Sequence, residues 1–89
     1  MKVDTDRIVN TNATALLQQG EAAIRGGESH FDLSNVQRCD SSAVALLLAW
    51  ERAARERGMR LGFAGIPASL RSLAKLYGVD VLIPMDGAR

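Results

Sequence analysis

The sequence predicts an α/β fold in which about three helices cover a mixed, mostly parallel sheet of about four strands. In three segments, apolar residues recur at helical spacing, and each of these segments ends at a glycine. Short apolar segments that are typical of strands lie before, between and after the helical ones. Regular alternation of strands and helices favours helices packed on neighbouring parallel strands.

Size and composition favour one globular domain. The 89 residues leave room for a single hydrophobic core, so we expect one domain over residues 1–89, with 84–89 as a flexible tail. Apolar residues make up 47% and charged residues 24%, as in ordinary globular domains. The net charge of +1 gives no broad field that would attract nucleic acid. No apolar run approaches the roughly 20 residues that span a bilayer, so we expect no direct membrane insertion.

The first third of the chain predicts a strand, a helix and a second strand. Residues 1–9 carry a weak strand pattern that fits either one edge strand or a short hairpin. A helix follows, with Thr11 or Asn12 as its N-cap and the glycine pair at 26–27 as its end. Residues 29–33, bounded by glycines and polar residues, predict the second strand.

The second helix is the most informative element. Asp40 or Ser41 suits its N-cap, and the helical pattern continues to about Arg57, before Gly58. Its first half is apolar on all sides, and one helix face cannot bury all of these side chains. The apolar side chains that one face cannot bury indicate either a helix that the domain covers on two sides or a patch that binds a partner.

Placing its residues at 100° steps makes Leu47 and Ala54 face the core. One of two pairs must then point elsewhere, and the spacing alone does not decide between them. The pairs are Val44 with Leu48, and Leu46 with Trp50.

The last third predicts a strand, a helix and a final strand. Residues 59–64 alternate apolar and other residues, with Leu61 and Phe63 pointing inward. A third helix starts near Pro67 and ends at Gly78. Its apolar stripe consists of Leu70, Leu73, Ala74 and Tyr77. The short apolar segment 79–83 completes the alternation as a fourth strand.

The sequence offers little for catalysis or metal binding. It contains no phosphate-binding loop, and His30 is the only histidine available as a base near neutral pH. Asp32 and Asp40 have no evident third ligand, so we interpret them as caps and loop formers. The single Cys39 has no disulfide partner or zinc-type spacing, and the N-terminus has no secretory pattern, which together favour the reducing cytoplasm. We expect a protein that is not an enzyme and binds no cofactor or metal.

The best candidate site is the run Asp40-Ser41-Ser42 at the start of the second helix. The first N–H groups of a helix have no partner within the helix and carry the positive end of its dipole, so they accommodate an anion or a phosphoserine. The same three residues also suit a plain helix cap. Their side chains alone leave both interpretations open.

Two sets of residues resemble one known family. Residues 31–34, Val36 and residues 40–48 resemble the STAS family, the domain shared by sulfate transporters and anti-sigma-factor antagonists. The pattern in 54–63 and the run 73–79 are similar to the family branch represented by MlaB. The resemblance as a whole covers roughly residues 12–84.

This resemblance implies a STAS-like sandwich and a non-catalytic role. In the MlaB branch, the domain is a cytoplasmic subunit that binds and regulates or stabilises the ATPase of a phospholipid-transporting ABC complex, and that complex associates it with the inner membrane. The family's aspartate–hydroxyl pair matches Asp40 and Ser41, which places them at the ATPase contact. The alternative is an anti-sigma-factor antagonist whose partner is an anti-sigma kinase, which phosphorylates Ser41.

The family pattern also suggests which side of the second helix is exposed. It turns Val44, Leu47, Leu48 and Ala54 toward the sheet and leaves Leu46 and Trp50 near the surface, beside the serines. The chain departs from the pattern at Glu51, where the family usually has an apolar residue, and its N-terminal part is shorter. The predicted partner-binding residues are Asp40, Ser41, Ser42, Leu46 and Trp50.

Overall fold

The computed structural model describes residues 1–83, so the predicted tail at 84–89 lies outside the described residues. Three α-helices alternate with very short strands, and a 3₁₀ turn follows the last helix. In chain order the elements are β1 (Arg7–Ile8), α1 (Ala13–Arg25), β2 (His30–Asp32), β3 (Arg38–Cys39), α2 (Ser41–Glu56), β4 (Gly62–Ala64), α3 (Ala68–Leu76) and the 3₁₀ turn (Asp80–Leu82). The predicted α/β class is confirmed. Each of the three helices ends at or just before the glycine that was predicted to end it.

The strand pairs within residues 1–83 are all parallel. β1 pairs with β3, and β2 pairs with β4, where Phe31 lies opposite Phe63. The N-terminal residues join the two pairs, because Lys2 forms a parallel bridge with Asp32 before the chain reaches β1. Residues 1–8 therefore pair with β2 and β3 and not with one another, and the hairpin alternative is wrong.

Two strand assignments need correction. β3 was not predicted, since it consists of Arg38 and Cys39 and carries no apolar alternation. The predicted last strand at 79–83 is instead the 3₁₀ turn. Gly78 has a φ of +72°, and the next N–H, that of Val79, donates to the carbonyl of Ala74 at 2.9 Å. This bond ties the segment to the end of α3 and keeps it from continuing as a strand.

The core lies between the sheet and the helices and is centred on three aromatic rings. The ring of Phe31 lies 4.9 Å from that of Trp50 and 5.9 Å from that of Phe63, measured between centroids. Both distances fall in the favourable range for tilted aromatic pairs. Of the predicted stripe on α3, Leu70 and Ala74 are buried, whereas Tyr77 is 53% exposed because the helix ends at the preceding residue.

Candidate functional site

Asp40 caps α2 and also ties it to the neighbouring turn. Its Oδ1 accepts a hydrogen bond from the N–H of Ser42 at 2.8 Å, which satisfies one of the free donors at the helix start. Its Oδ2 accepts from the N–H of Asn10 at 3.1 Å, in the turn before α1. The N–H of Asp40 donates to the carbonyl of Ile8 at 3.2 Å. Asp40 therefore holds the starts of α1 and α2 beside each other.

The pKa of the Asp40 carboxyl is lowered. Partial burial acts to raise this pKa, but the N–H groups of Ser42 and Asn10, together with the Ser42 hydroxyl, outweigh it. The carboxylate thus occupies the anion-friendly position at the start of α2. A phosphate on Ser41 would add charge next to an anion that is already present, and would not fill an empty anion site.

The two serines differ in their surroundings. Ser41 is exposed, whereas Ser42 is half-buried and lines a groove between α1 and α2. The structure therefore brings Asp40, Ser41 and Ser42 together at one end of that groove. Their predicted role in partner binding stays a prediction.

The expectation that Trp50 lies near the surface is wrong. Its side chain is 0% exposed, and its Nε1 donates to the carbonyl of Leu17 in α1 at 3.2 Å. Gly20 makes this burial possible, because a Cβ at position 20 would overlap the indole ring. Trp50 belongs to the core, and we no longer assign it to the partner-binding surface.

Leu46 is also more buried than predicted, at 3% exposure, and contributes to the floor of the groove. α1 covers this side of α2, so the domain buries α2 on two sides. This agrees with the first of the two interpretations of its apolar pattern, a helix that the domain itself covers on two sides. On the opposite side, Val44 is buried, but Leu48, which the family pattern turns toward the sheet, is only half-buried.

The surface that α2 presents is a stripe of small and polar residues with one leucine, here called the α2 face. Its members recur every three or four positions and are exposed or half-buried. They are Ser41, Ser42, Ala45, Leu48, Ala49 and Arg52. The α2 face lies on the side of the helix away from Leu47 and Ala54, both of which are fully buried.

A groove of about 290 Å³ runs along the α2 face where α1 meets it. The residues that line the groove are mostly apolar. Three of them are alanines, whose short side chains leave the groove open. The lining residues are Ala13, Thr14, Leu17, Ser42, Ala45, Leu46 and Ala49. A second depression, lined by Ala45, Leu48, Ala49 and Arg52, continues it along α2.

Sequence reasoning missed Ala45 and Ala49, and a signal for them was present. Once Leu47 marks the core direction, the 100° spacing puts both alanines on the opposite side of the helix. The signal for the burial of Trp50 was Gly20, since a glycine inside a helix costs stability and commonly marks a close approach.

The other candidate groups do not form a reactive centre. The carboxylate of Asp32 accepts from the N–H of Ser34 at 2.9 Å and so stabilises its own turn. Burial raises the pKa of the Cys39 thiol, which keeps it protonated. Within residues 1–83, no three His, Cys, Asp or Glu side chains come together as metal ligands. None of the helices in this range is long and apolar enough to cross a membrane.

Comparison with known proteins identifies the family. The model of the family described as "Mlab, STAS domain" matches residues 5–84, nearly the whole chain. No curated protein matches the chain. STAS domains are in general non-catalytic. The chain belongs to the STAS domain family and is of the MlaB type.

Proposed function

We propose that this domain is a non-catalytic subunit that binds the ATPase of a phospholipid-transporting ABC complex through its α2 face and the adjoining groove. Binding stabilises the active assembly of the ATPase. The domain acts in the cytoplasm and reaches the inner membrane only through this complex. The family supports this role in general, and the groove beside Asp40-Ser41-Ser42 is the observation that supports this particular surface.

The shape of the groove suits a protein partner. Alanines at positions 45 and 49 leave space above α2, into which a larger apolar side chain of the partner fits. Leu46 and Leu17 supply apolar contact at the bottom of this space. Burial of one leucine-sized side chain there contributes about 1.5–3 kcal/mol, enough to anchor an interface.

The two ends of the α2 face supply polar contacts. The Ser41 and Ser42 hydroxyls lie at the start of the helix, and the exposed Arg52 lies at the far end. An apolar centre with polar groups around it is the usual anatomy of a protein–protein interface. Because Asp40 is engaged by two backbone N–H groups, its role is to hold this end of the groove in place.

Co-expression with the cognate ATPase tests the proposal. We expect a tagged form of the domain to recover the ATPase in a stable complex, and the complex to hydrolyse ATP faster than the ATPase alone. The ATPase of an unrelated ABC transporter serves as the specificity control and is not recovered. Failure to recover the cognate ATPase would refute the proposal.

The second candidate is a phospho-switch of the anti-sigma-antagonist type. The exposure of Ser41 favours it, since a kinase reaches this hydroxyl without unfolding the helix. A phosphate there would lie beside the Asp40 carboxylate and repel an acidic partner. Intact mass after incubation with cell extract and ATP tests this candidate, with Ser41→Ala as the control. A mass increase of one phosphoryl group that Ser41→Ala abolishes would favour it over ATPase binding.

A further inference from the structure

Three depressions follow one another along α2 and form one continuous trough. The groove beside α1 shares Ala45 and Ala49 with the depression in the middle of the helix. That depression shares Leu48 and Arg52 with a third one, of about 330 Å³, at the far end of α2. The third depression is here called the far pocket, and its lining residues are Leu48, Glu51, Arg52, Arg55 and Leu82.

The trough has the length and the lining of a site for a helix. Its lining residues on α2 extend from Ser42 to Arg55, about 20 Å at 1.5 Å per residue. Mostly apolar residues line its start, and Leu48 and Leu82 continue this lining in the far pocket. An extended segment buried there would leave its backbone N–H and C=O groups unpaired, because the side of α2 offers them no backbone partners. A helix of about four turns with one apolar stripe satisfies its own backbone and covers the trough.

The far pocket carries net positive charge. Arg52 is exposed, and among residues 1–83 no carboxylate forms an ion pair with it. The one carboxylate in the lining, that of Glu51, has its Oε1 at 3.6 Å from a guanidinium nitrogen of Arg55 and so offsets a single charge. Its Oε2 is buried and has no hydrogen-bond partner within residues 1–83, so a partner does not reach it. The side chain of Arg55 is 70% exposed and keeps further N–H donors toward solvent.

These charges favour an acidic end on the partner helix. A lysine or arginine placed there would meet the guanidinium groups of Arg52 and Arg55 and be repelled. A glutamate or aspartate would accept paired hydrogen bonds from Arg52, which has no such acceptor within the described chain.

A second copy of the domain suits the trough less well. Two copies that faced each other through their α2 faces would bring short serine and alanine side chains together. The troughs would stay unfilled, and the residues that line them would lack contacts on one side. A helix with larger apolar side chains supplies those contacts.

We propose that the trough binds one amphipathic helix of the partner protein, whose apolar stripe fills the groove and whose acidic end pairs with Arg52 and Arg55. That the partner is the ATPase rests on the proposed function. The inference adds the shape and charge of the segment that binds. The charges also fix the direction in which this helix lies along α2, because only one of its ends is acidic.

Synthetic peptides test the trough in the isolated domain, without the ATPase. The first peptide is a helix of about 15 residues, with leucines at spacings of three and four and glutamates in its first turn. The second carries glutamines in place of the glutamates, which have a similar helix propensity. In ¹H–¹⁵N NMR titrations we expect the first peptide to shift the amide signals of Ala45, Ala49 and Arg52 in a saturable way. The second should bind roughly fivefold more weakly. Equal affinities, or shifts confined to another surface, would overturn the proposal.

One matched pair of variants tests the same charges against the purified cognate ATPase. In titration calorimetry, Arg52→Glu should weaken binding roughly tenfold, because it replaces attraction by repulsion at the far pocket. Arg60→Glu makes the same change of charge at an exposed position outside the trough and should leave the affinity unchanged.

The outcomes separate this proposal from the proposed function. If the ATPase binds the unmodified domain and Arg52→Glu equally well, the acidic helix is overturned and ATPase binding stands. If the acidic peptide binds in the trough as expected but the ATPase does not bind, the proposed function fails and the site for an acidic helix stands. Shifts of the Ala45 and Ala49 signals that grow with domain concentration, without any peptide, would place a second copy on the α2 face and overturn the proposal.

Discussion

Replacing Trp50 tests the central correction that the structure makes to the sequence-based site. If Trp50 were an exposed binding residue, its replacement would weaken a complex and leave the fold intact. The structure places it at 0% exposure, against Phe31 and bonded to the carbonyl of Leu17. We therefore expect a large loss of stability in the isolated domain.

The size of this loss follows from the contacts. Trp50→Phe removes roughly 40 Å³ of buried side chain, which at about 24 cal/mol per Å³ of cavity costs about 1 kcal/mol. Loss of the bond from Nε1 to Leu17 costs about 1 kcal/mol more. Trp50→Phe should thus lower the free energy of unfolding by about 2 kcal/mol, and Trp50→Ala by about 3–5 kcal/mol. The larger loss is a substantial part of the roughly 5–15 kcal/mol that stabilises a typical domain.

Urea unfolding followed by circular dichroism measures both losses. With a slope of about 1 kcal/mol per M, suitable for a small domain, Trp50→Phe should lower the midpoint by about 2 M. Leu76→Ala is the control, since Leu76 is 76% exposed and its truncation should cost no more than about 0.5 kcal/mol. A midpoint for Trp50→Ala equal to that of Leu76→Ala would refute the buried position of Trp50.

Three further substitutions test other parts of the structure. Gly20→Ala should destabilise the domain by about 1–3 kcal/mol in thermal unfolding, because its Cβ overlaps the Trp50 ring; an unchanged melting temperature would contradict this packing. Glu51→Leu should stabilise the domain by about 1–3 kcal/mol, because it removes a buried unpaired oxygen; a loss of stability in the same assay would mean that Oε2 is paired. Asp40 has a lowered pKa in the folded state, so its contribution to stability is complete above its unfolded pKa and is lost as the pH falls through the folded value. Asp40→Asn, which keeps a capping oxygen, should make unfolding less dependent on pH in the acid range, and an unchanged dependence would contradict the role of the charge.

The helices were predictable because their signals are local. Asp40 caps α2 through an N–H two residues away, and Gly78 follows α3, so neither signal depends on the rest of the fold. β2 and β4 lie inside the predicted segments 29–33 and 59–64, whereas β1 and β3 contain only two residues each, too few for an alternation to emerge. β3 in particular exists because β1 lies beside it, and its own side chains do not indicate it.

The candidate site was predictable in position but not in extent. The cap at Asp40-Ser41-Ser42 follows from residue types, whereas the exposed side of α2 depends on which neighbour covers it. α1 covers Leu46 and Trp50 because Gly20 leaves room for the indole, a relation between residues far apart in the sequence. The spacing alone puts Ala45 and Ala49 opposite Leu47, but the groove that α1 forms beside them is known only from the structure.

The α2 face itself is tested most directly by one matched pair of variants. Ala45 and Ala22 are both exposed helix positions, but only Ala45 lines the groove. Titration calorimetry with the purified cognate ATPase should show at least a roughly tenfold loss of affinity for Ala45→Arg, since the arginine fills the groove. Ala22→Arg, with the same change of charge and size, should bind like the unmodified domain. Equal affinity for both variants would contradict the assignment of the ATPase contact to the α2 face.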